Sequence, residues 1–278
     1  GEIRAFFNTC RHRGAALCQG TEGRLPPGGI TCPYHGWNYR LDGELARIPS
    51  RGRTHYVDRR EHSLYPVAVR VWRGFVYVNL AGAEGPSFDA NFNANTAQFA
   101  HWPLEDLVPG HRMQKRVQCN WKVFWENYNE CLHCPPVHPA LNKLTDYLGA
   151  DNVPPSPHYI GGSMGFKPGM ETMTLDGVRR RDYLPGLGPA ERAQVAYYAI
   201  YPNLLLAPHP DFLLTHLLWP KGPDRTEIVC EFHFHPAEIA KPDFVCEDAV
   251  ELWDLTNRED WRISELSQQG IASRAYEP

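Results

Sequence analysis

The chain has 278 residues, a formal net charge of −4, and 42% hydrophobic, 12% aromatic and 22% charged residues. That balance is too apolar for a disordered chain, and the charge gives no reason to expect a nucleic-acid partner. No run of about 20 apolar residues offers a membrane span, and no basic-then-apolar signal segment opens the chain, so a cytoplasmic location is expected.

Residues 1–80 read as all-β. Short apolar runs are broken by turn signals at Gly28-Gly29 and Asp42-Gly43, and residues 64–79 form two strands around an Arg73-Gly74 turn. Residues 81–95 are rich in Gly, Ala, Asn and Pro and read as a linker. A strand is expected over 111–119. A helix follows Asn120, with Val123, Phe124, Asn127, Tyr128 and Cys131 at helical spacing, broken at Pro135-Pro136. Residues 141–192 are loop-rich. Strand-like runs at 194–207, 212–219 and 226–235 predict an antiparallel sheet, and a helix is expected over 242–258. The division is 1–85 and 86–278. Both ends are expected to be incomplete, because Gly1–Phe7 reads as a strand already under way and Pro278 stops without a terminal element.

Two unlike sets of metal ligands stand out. The first is Cys10-x-His12 with Cys32-x-x-His35. Two Cys and two His suit a two-iron, two-sulfur cluster with one iron held by sulfur and one by nitrogen. Structural zinc accepts the same residue types, and the spacing alone does not separate the two. The second set is Glu130-x-x-His133-x-x-x-x-His138 with a distant carboxylate. Two His and one carboxylate hold an open non-haem iron. His133 and His138 are five residues apart, so an unbroken helix would not present both on one face. Asp260, Glu259 and Asp254 are the downstream candidates for the carboxylate. Cys131 and Cys134 are expected to be separate packing thiols. His233 and His235 share one sheet face by alternation and read as ordinary sheet residues.

The strings Cys10-Arg11-His12-Arg13-Gly14-Ala15 and Cys32-Pro33-Tyr34-His35-Gly36-Trp37 resemble the Rieske centre of the ring-hydroxylating, Rieske non-haem iron oxygenase large (alpha) subunits. Residues 120–139 resemble the catalytic iron segment of the same family. The resemblance implies an α+β chain: a β-rich Rieske [2Fe-2S] domain, then a catalytic domain whose antiparallel sheet is flanked by helices in a helix-grip, START-like arrangement. It implies that Cys10 and Cys32 bind one cluster iron and His12 and His35 the other. Gly14 and Gly36 would open the backbone to the cluster, and Trp37 would shield it. His133, His138 and Asp260 would hold mononuclear Fe(II). Glu130 would accept a hydrogen bond from a Rieske histidine, His12 or His35, across a subunit contact, with a helix-surface acid as the alternative. Asn127, one turn earlier, reads as a pocket residue near the iron or equally as a helix-capping or packing residue. The paired cysteines of respiratory Rieske proteins are missing, which leaves Cys18 expected as a buried thiol.

The same resemblance implies electrons from NAD(P)H through a flavin or iron–sulfur reductase or a ferredoxin, a homotrimer, and O2 with a small-molecule substrate. Glu130-Cys131-Leu132-His133-Cys134 is similar to the glycine-betaine and choline monooxygenase branch. That branch implies hydroxylation of an N-methyl group with formaldehyde release. Aromatic-ring dihydroxylation or O-demethylation is the alternative. A bare iron–sulfur carrier or zinc protein would leave the 120–138 segment without use. Tyr197, Tyr198, Tyr201, Phe212 and Trp219 are candidate walls for an onium substrate, or plain core.

Overall fold

The computed structural model describes residues 1–49, 57–82, 87–88, 99–154 and 156–277. The linker expected over 81–95 lies largely outside them. Two compact units are present, Gly1–Phe88 and Asp89–Pro278.

The first unit contains β1 (Ala5–Phe6), β2 (Ile30–Thr31), β3 (Asn38–Tyr39), β4 (Leu45–Arg47), β5 (Pro66–Trp72) and β6 (Phe75–Asn79). They form two three-stranded antiparallel sheets, β1-β5-β6 and β2-β3-β4. Arg73 and Gly74 both have positive φ, 50° and 87°. That pairing gives the tight hairpin turn whose twist matches the flanking strands. Gly43, at φ 88°, has no room for a side chain, because a Cβ there would lie 2.4 Å from the Phe6 ring.

The second unit runs β7 (Val108–Val117), α1 (Trp121–Tyr128), α2 (Cys134–Val137), β8 (Asp151–Asn152), β9 (Tyr159–Gly165), α3 (Pro189–Arg192), β10 (Gln194–Ile200), β11 (Leu204–Pro208), β12 (Leu213–Gly222), β13 (Arg225–Phe234), α4 (Pro236–Ile239) and α5 (Glu247–Ile271). Its seven strands form one antiparallel sheet in the order β7-β13-β12-β11-β10-β9-β8. The architecture is α+β, as expected.

Three details differ from the sequence reading. The run 194–207 is two strands, because the Tyr201-Pro202 segment turns the chain between β10 and β11. The loop-rich segment contributes β8 and β9 to the sheet; the glycines of β9 hide its strand character. The last helix runs to Ile271 rather than stopping near 258. Its buried residues are Ala249, Leu252, Trp253, Thr256, Asn257, Trp261 and Ser264. Their spacing of three and four makes one stripe along the helix. No helix among the described residues is long and apolar enough to cross a membrane.

A buried charge cluster fastens the start of α5. Arg181 pairs with Asp211 at 2.9 Å and with Asp248 at 2.6 Å, and Thr172 Oγ1 donates to Asp211 Oδ1 at 2.5 Å. Asp248 also lies in the first turn of α5, where the helix dipole favours an anion.

Nearby, Trp253 Nε1 donates to His209 Nε2 at 3.2 Å, which requires an unprotonated Nε2. Burial, helped by the charge of Arg181, lowers the His209 pKa from 6.5 to about 3. The unfolded chain therefore takes up a proton near pH 6.5 that the folded chain refuses. This contribution to stability is present above about pH 6.5 and is lost as pH falls toward 3. Melting curves between about pH 7 and about pH 4.5 should show wild type losing stability faster than His209→Gln; equal slopes would remove His209 from the account.

Candidate metal centres

In the first unit two matching turns present the Cys/His strings. Cys10 N–H donates to Ala15 O and Gly14 N–H returns to Cys10 O, at 2.9 Å each. Cys32 N–H donates to Trp37 O at 2.8 Å and Gly36 N–H returns to Cys32 O at 3.1 Å. Gly14 and Gly36 carry the positive φ values, 71° and 69°, that these turns need. Both thiols are buried, whereas His12 and His35 are exposed. The two imidazole centroids are 4.6 Å apart, and His12 stacks on buried Trp37 at 4.8 Å.

Among the described residues, only His133, His138 and Asp260 place three metal-ligand atoms within 4.8 Å of one another. Buried sulfurs on one side and exposed imidazoles on the other fit the two unlike ends of a two-iron cluster.

Tyr39 adds a directed hydrogen bond. Its Oη accepts from Arg11 N–H at 3.0 Å and lies 3.3 Å from Cys10 Sγ. With the oxygen already accepting, the phenol proton is free for the sulfur. Burial works against a Cys10 thiolate, but the Tyr39 hydroxyl and the backbone N–H groups of His12 and Arg13 outweigh it and hold its pKa below the usual thiol value. Hydrogen bonds to cluster sulfurs raise the reduction potential. Tyr39→Phe should therefore lower the cluster potential by on the order of 50 mV, read by redox titration of the visible spectrum. An unchanged potential would mean that the phenol does not bond to the sulfur.

In the second unit the prolines start a helix rather than break one. Helix α1 already ends at Tyr128, and Pro135 and Pro136 lie in the first turn of α2, where a missing N–H costs nothing. His133 and His138 flank that four-residue helix at its two ends, with Val137 N–H bonded to His133 O and His138 N–H to Cys134 O. Cys131 and Cys134 are not separate thiols; they form a disulfide with Cα atoms 4.9 Å apart. One short turn between them brings the pair within bridging reach. Cys18 is exposed and free, not buried.

The ligand atoms converge. Asp260 Oδ1 is 3.0 Å from His138 Nε2 and 3.4 Å from His133 Nε2, and it accepts from Asn127 Nδ2 at 2.6 Å. Behind the rings, His133 Nδ1 is 2.5 Å from Glu130 Oε1, and His138 Nδ1 is 2.7 Å from Glu259 Oε2. Each Nδ1–H is thus given to an outer acid. Both Nε2 lone pairs then face a carboxylate, an arrangement that repels unless a cation joins them. Burial alone would raise the Asp260 pKa, but the two imidazoles and Asn127 reverse this and keep it below the ordinary carboxylate value. Burial likewise opposes charge on His133 and His138, yet the neighbouring acids, Asp260 foremost, raise both pKa values. The site draws positive charge. A divalent ion supplies it to all three donors at once, and two His with one carboxylate is the donor set of non-haem iron.

Asp260 lies on the buried stripe of α5, four residues from Thr256 and three from Asn257. Glu259 meets the other nitrogen of His138, Nδ1, on the far side of the ring from Asp260, and Asp254 pairs with Arg258.

A cavity of about 290 Å³ opens on this centre, lined by Asn127, Tyr128, Tyr147, Asn152, Ser163, Met164, Tyr197, Trp253 and Thr256 together with His133, His138 and Asp260. Of the five aromatic residues singled out from the sequence, only Tyr197 lines it. Tyr198, next along β10, points to the other side and packs on Phe99 at 4.6 Å. Phe212 stacks on His209, Tyr201 stacks on Trp125, and Trp219 is exposed. Sequence reasoning missed Tyr128, Tyr147 and Trp253. Trp253 was findable, since it precedes Asp260 by two helical turns on the same stripe. A second, more open cavity on the outer side is lined by Glu126, Ile263, Ser267 and Tyr276, and it shares Asn127, Glu130 and His133 with the first. His233 and His235 line neither: His233 bonds to Thr215, and His235 caps α4.

The family pattern "Rieske [2Fe-2S] domain" matches residues 1–68, and "Ring hydroxylating alpha subunit (catalytic domain)" matches residues 104–278. The chain belongs to the Rieske non-haem iron oxygenases. Across this family a Rieske cluster and a mononuclear iron are paired in one chain, and the Cys/His set falls within the first matched region and the His/Asp set within the second. The chain is 28% identical to the glycine betaine monooxygenase oxygenase subunit of Pseudomonas aeruginosa, over all of this chain and 70% of that protein. Its fold matches the quaternary ammonium Rieske monooxygenase CntA in complex with L-carnitine, with TM-score 0.76 and 24% identity over 98% of this chain and 69% of that one. It matches a naphthalene 1,2-dioxygenase from Rhodococcus sp. equally well, with TM-score 0.76 and 20% identity over 99% and 70%. Fold alone therefore does not choose between onium and aromatic substrates.

Proposed function

We propose that this Rieske oxygenase hydroxylates an N-methyl group of a small quaternary ammonium substrate. Cys10, Cys32, His12 and His35 would hold the cluster, and His133, His138 and Asp260 the mononuclear iron. When bound, these groups supply one-electron transfer and activation of O2. The N-hydroxymethyl product is an unstable carbinolamine that releases formaldehyde.

The observation that carries the substrate class is the lining of the cavity. Tyr128, Tyr147, Tyr197 and Trp253 are aromatic, Glu130 is acidic, and no Lys or Arg occurs among its described lining residues. Aromatic faces attract an onium ion that cannot lose its charge, and no basic side chain opposes it there. The volume falls at the small end of ligand pockets. Neutral polar groups, Asn152 and Ser163 among them, are available to the rest of the substrate. The likeness to a glycine betaine monooxygenase supports the same choice.

Glu130 lines both cavities and is half exposed. It holds His133 from the outer side, where a Rieske histidine of a neighbouring subunit would meet it in a head-to-tail homotrimer. A cytoplasmic flavin or iron–sulfur reductase, or a ferredoxin, fed by NAD(P)H would supply the electrons.

The test is formaldehyde release by the reconstituted protein across glycine betaine, carnitine, choline and methoxy-aromatic compounds. Release from one or more onium compounds and none from the methoxy-aromatics is expected. Release from the methoxy-aromatics alone, or cis-diol formation on a bare ring, would overturn the substrate class.

A further inference from the structure

We propose that Glu259 is a positioning residue that fixes the His138 imidazole from behind and so sets the direction of its metal-facing nitrogen. This rests on reading His133, His138 and Asp260 as the metal site.

The two histidines are held in different ways. His133 is held by Glu130, three residues earlier in the same loop and 45% exposed at its side chain. His138 is only 2% exposed, and its Nδ1 meets Glu259 Oε2 at 2.7 Å across 121 residues of sequence. Glu259 and Asp260 are neighbours on α5. Consecutive residues on a helix diverge by about 100°, so one helical step places one acid behind the His138 ring and the other in front of it. The same helix is tied down a little further along: Glu265 accepts from Gln118 N–H at 2.9 Å and Gln268 from Asn120 N–H at 2.8 Å. The His138 ring is thereby clamped between two carboxylates on one anchored element.

Without Glu259, the buried Nδ1–H would have no acceptor. The ring would then gain by turning, or by moving its proton to Nε2, and either change removes the Nε2 lone pair from the metal. Outer carboxylates on metal-bound imidazoles carry this role in general.

The full chain, with its Rieske cluster intact and the mononuclear site emptied by chelation, is dialysed against Co(II), and bound metal is measured. Oxidised cluster is EPR-silent, so the Co(II) signal reports the geometry of the site. Glu259→Ala should weaken Co(II) binding by roughly 10- to 100-fold and broaden or shift the EPR pattern. Glu259→Gln keeps an oxygen acceptor on a side chain of the same size and should stay within about threefold of wild type. An Ala variant that binds within about twofold of wild type with an unchanged signal would overturn the proposal. So would a Gln variant as weak as Ala, since charge rather than orientation would then be the cause. Wild type and His138→Ala binding Co(II) equally would instead overturn the metal-site reading on which the proposal rests.

Discussion

Asp260→Ala should yield a protein that keeps its cluster and loses its mononuclear metal. Iron should fall from about three to about two atoms per chain while acid-labile sulfide stays at about two, and turnover should fall at least about 1000-fold. The reason lies in the geometry around one oxygen. Asp260 Oδ1 is the point that Asn127, His138 and His133 all approach, at 2.6, 3.0 and 3.4 Å. Removing it leaves two neutral imidazoles on a four-residue helix with nothing opposite them. Asp260→Asn is the sharper variant, since it keeps the shape and removes the charge. A variant that retained three irons and full turnover would show that the carboxylate ligand is elsewhere.

The second large effect concerns stability. Arg181 and Asp211 have side-chain exposures of 2% and 0%. Arg181→Met would leave Asp211 buried without its partner and also release Asp248. Burial already pushes the Asp211 pKa up, and Arg181 is the chief force against that push. Losing one member of such a pair costs about 3–5 kcal/mol, whereas replacing both with apolar residues of similar size is often neutral. Urea unfolding followed by tryptophan fluorescence should show that loss in the catalytic unit, with the Rieske absorption unchanged. Arg181→Met with Asp211→Leu should recover much of it. A single substitution costing less than about 1 kcal/mol would mean that water or another group satisfies Asp211.

The Cys/His strings and the His pair stood out in the sequence because cluster and iron chemistry constrain residue types at short, fixed spacing. Cys10-x-His12 and His133-x-x-x-x-His138 each lie within one local segment. Asp260 was weaker as a sequence signal, yet it is a carboxylate on the apolar stripe of α5, and that pattern is visible once the helix is carried to Ile271. The pocket walls were not legible. Tyr128, Tyr147, Asn152, Ser163 and Trp253 come from separate elements brought together by strand order and helix packing, and no local periodicity encodes that. Pro135-Pro136 was misread because proline breaks a helix interior but suits a first turn. The Cys131–Cys134 bond was missed because thiols beside iron ligands invite a metal reading or a packing reading before a pairing one.

The long chain distance between His138 and Asp260 has a consequence for synthesis. At roughly 5–20 residues per second, the 122 residues between them take about 6–24 s to make. During that interval the Cys/His turns of the first unit are already complete, while the two later histidines have no carboxylate opposite them. The three donors therefore cannot come together until the last helix has been made and has docked, whereas the Cys/His turns of the first unit wait on nothing so distant.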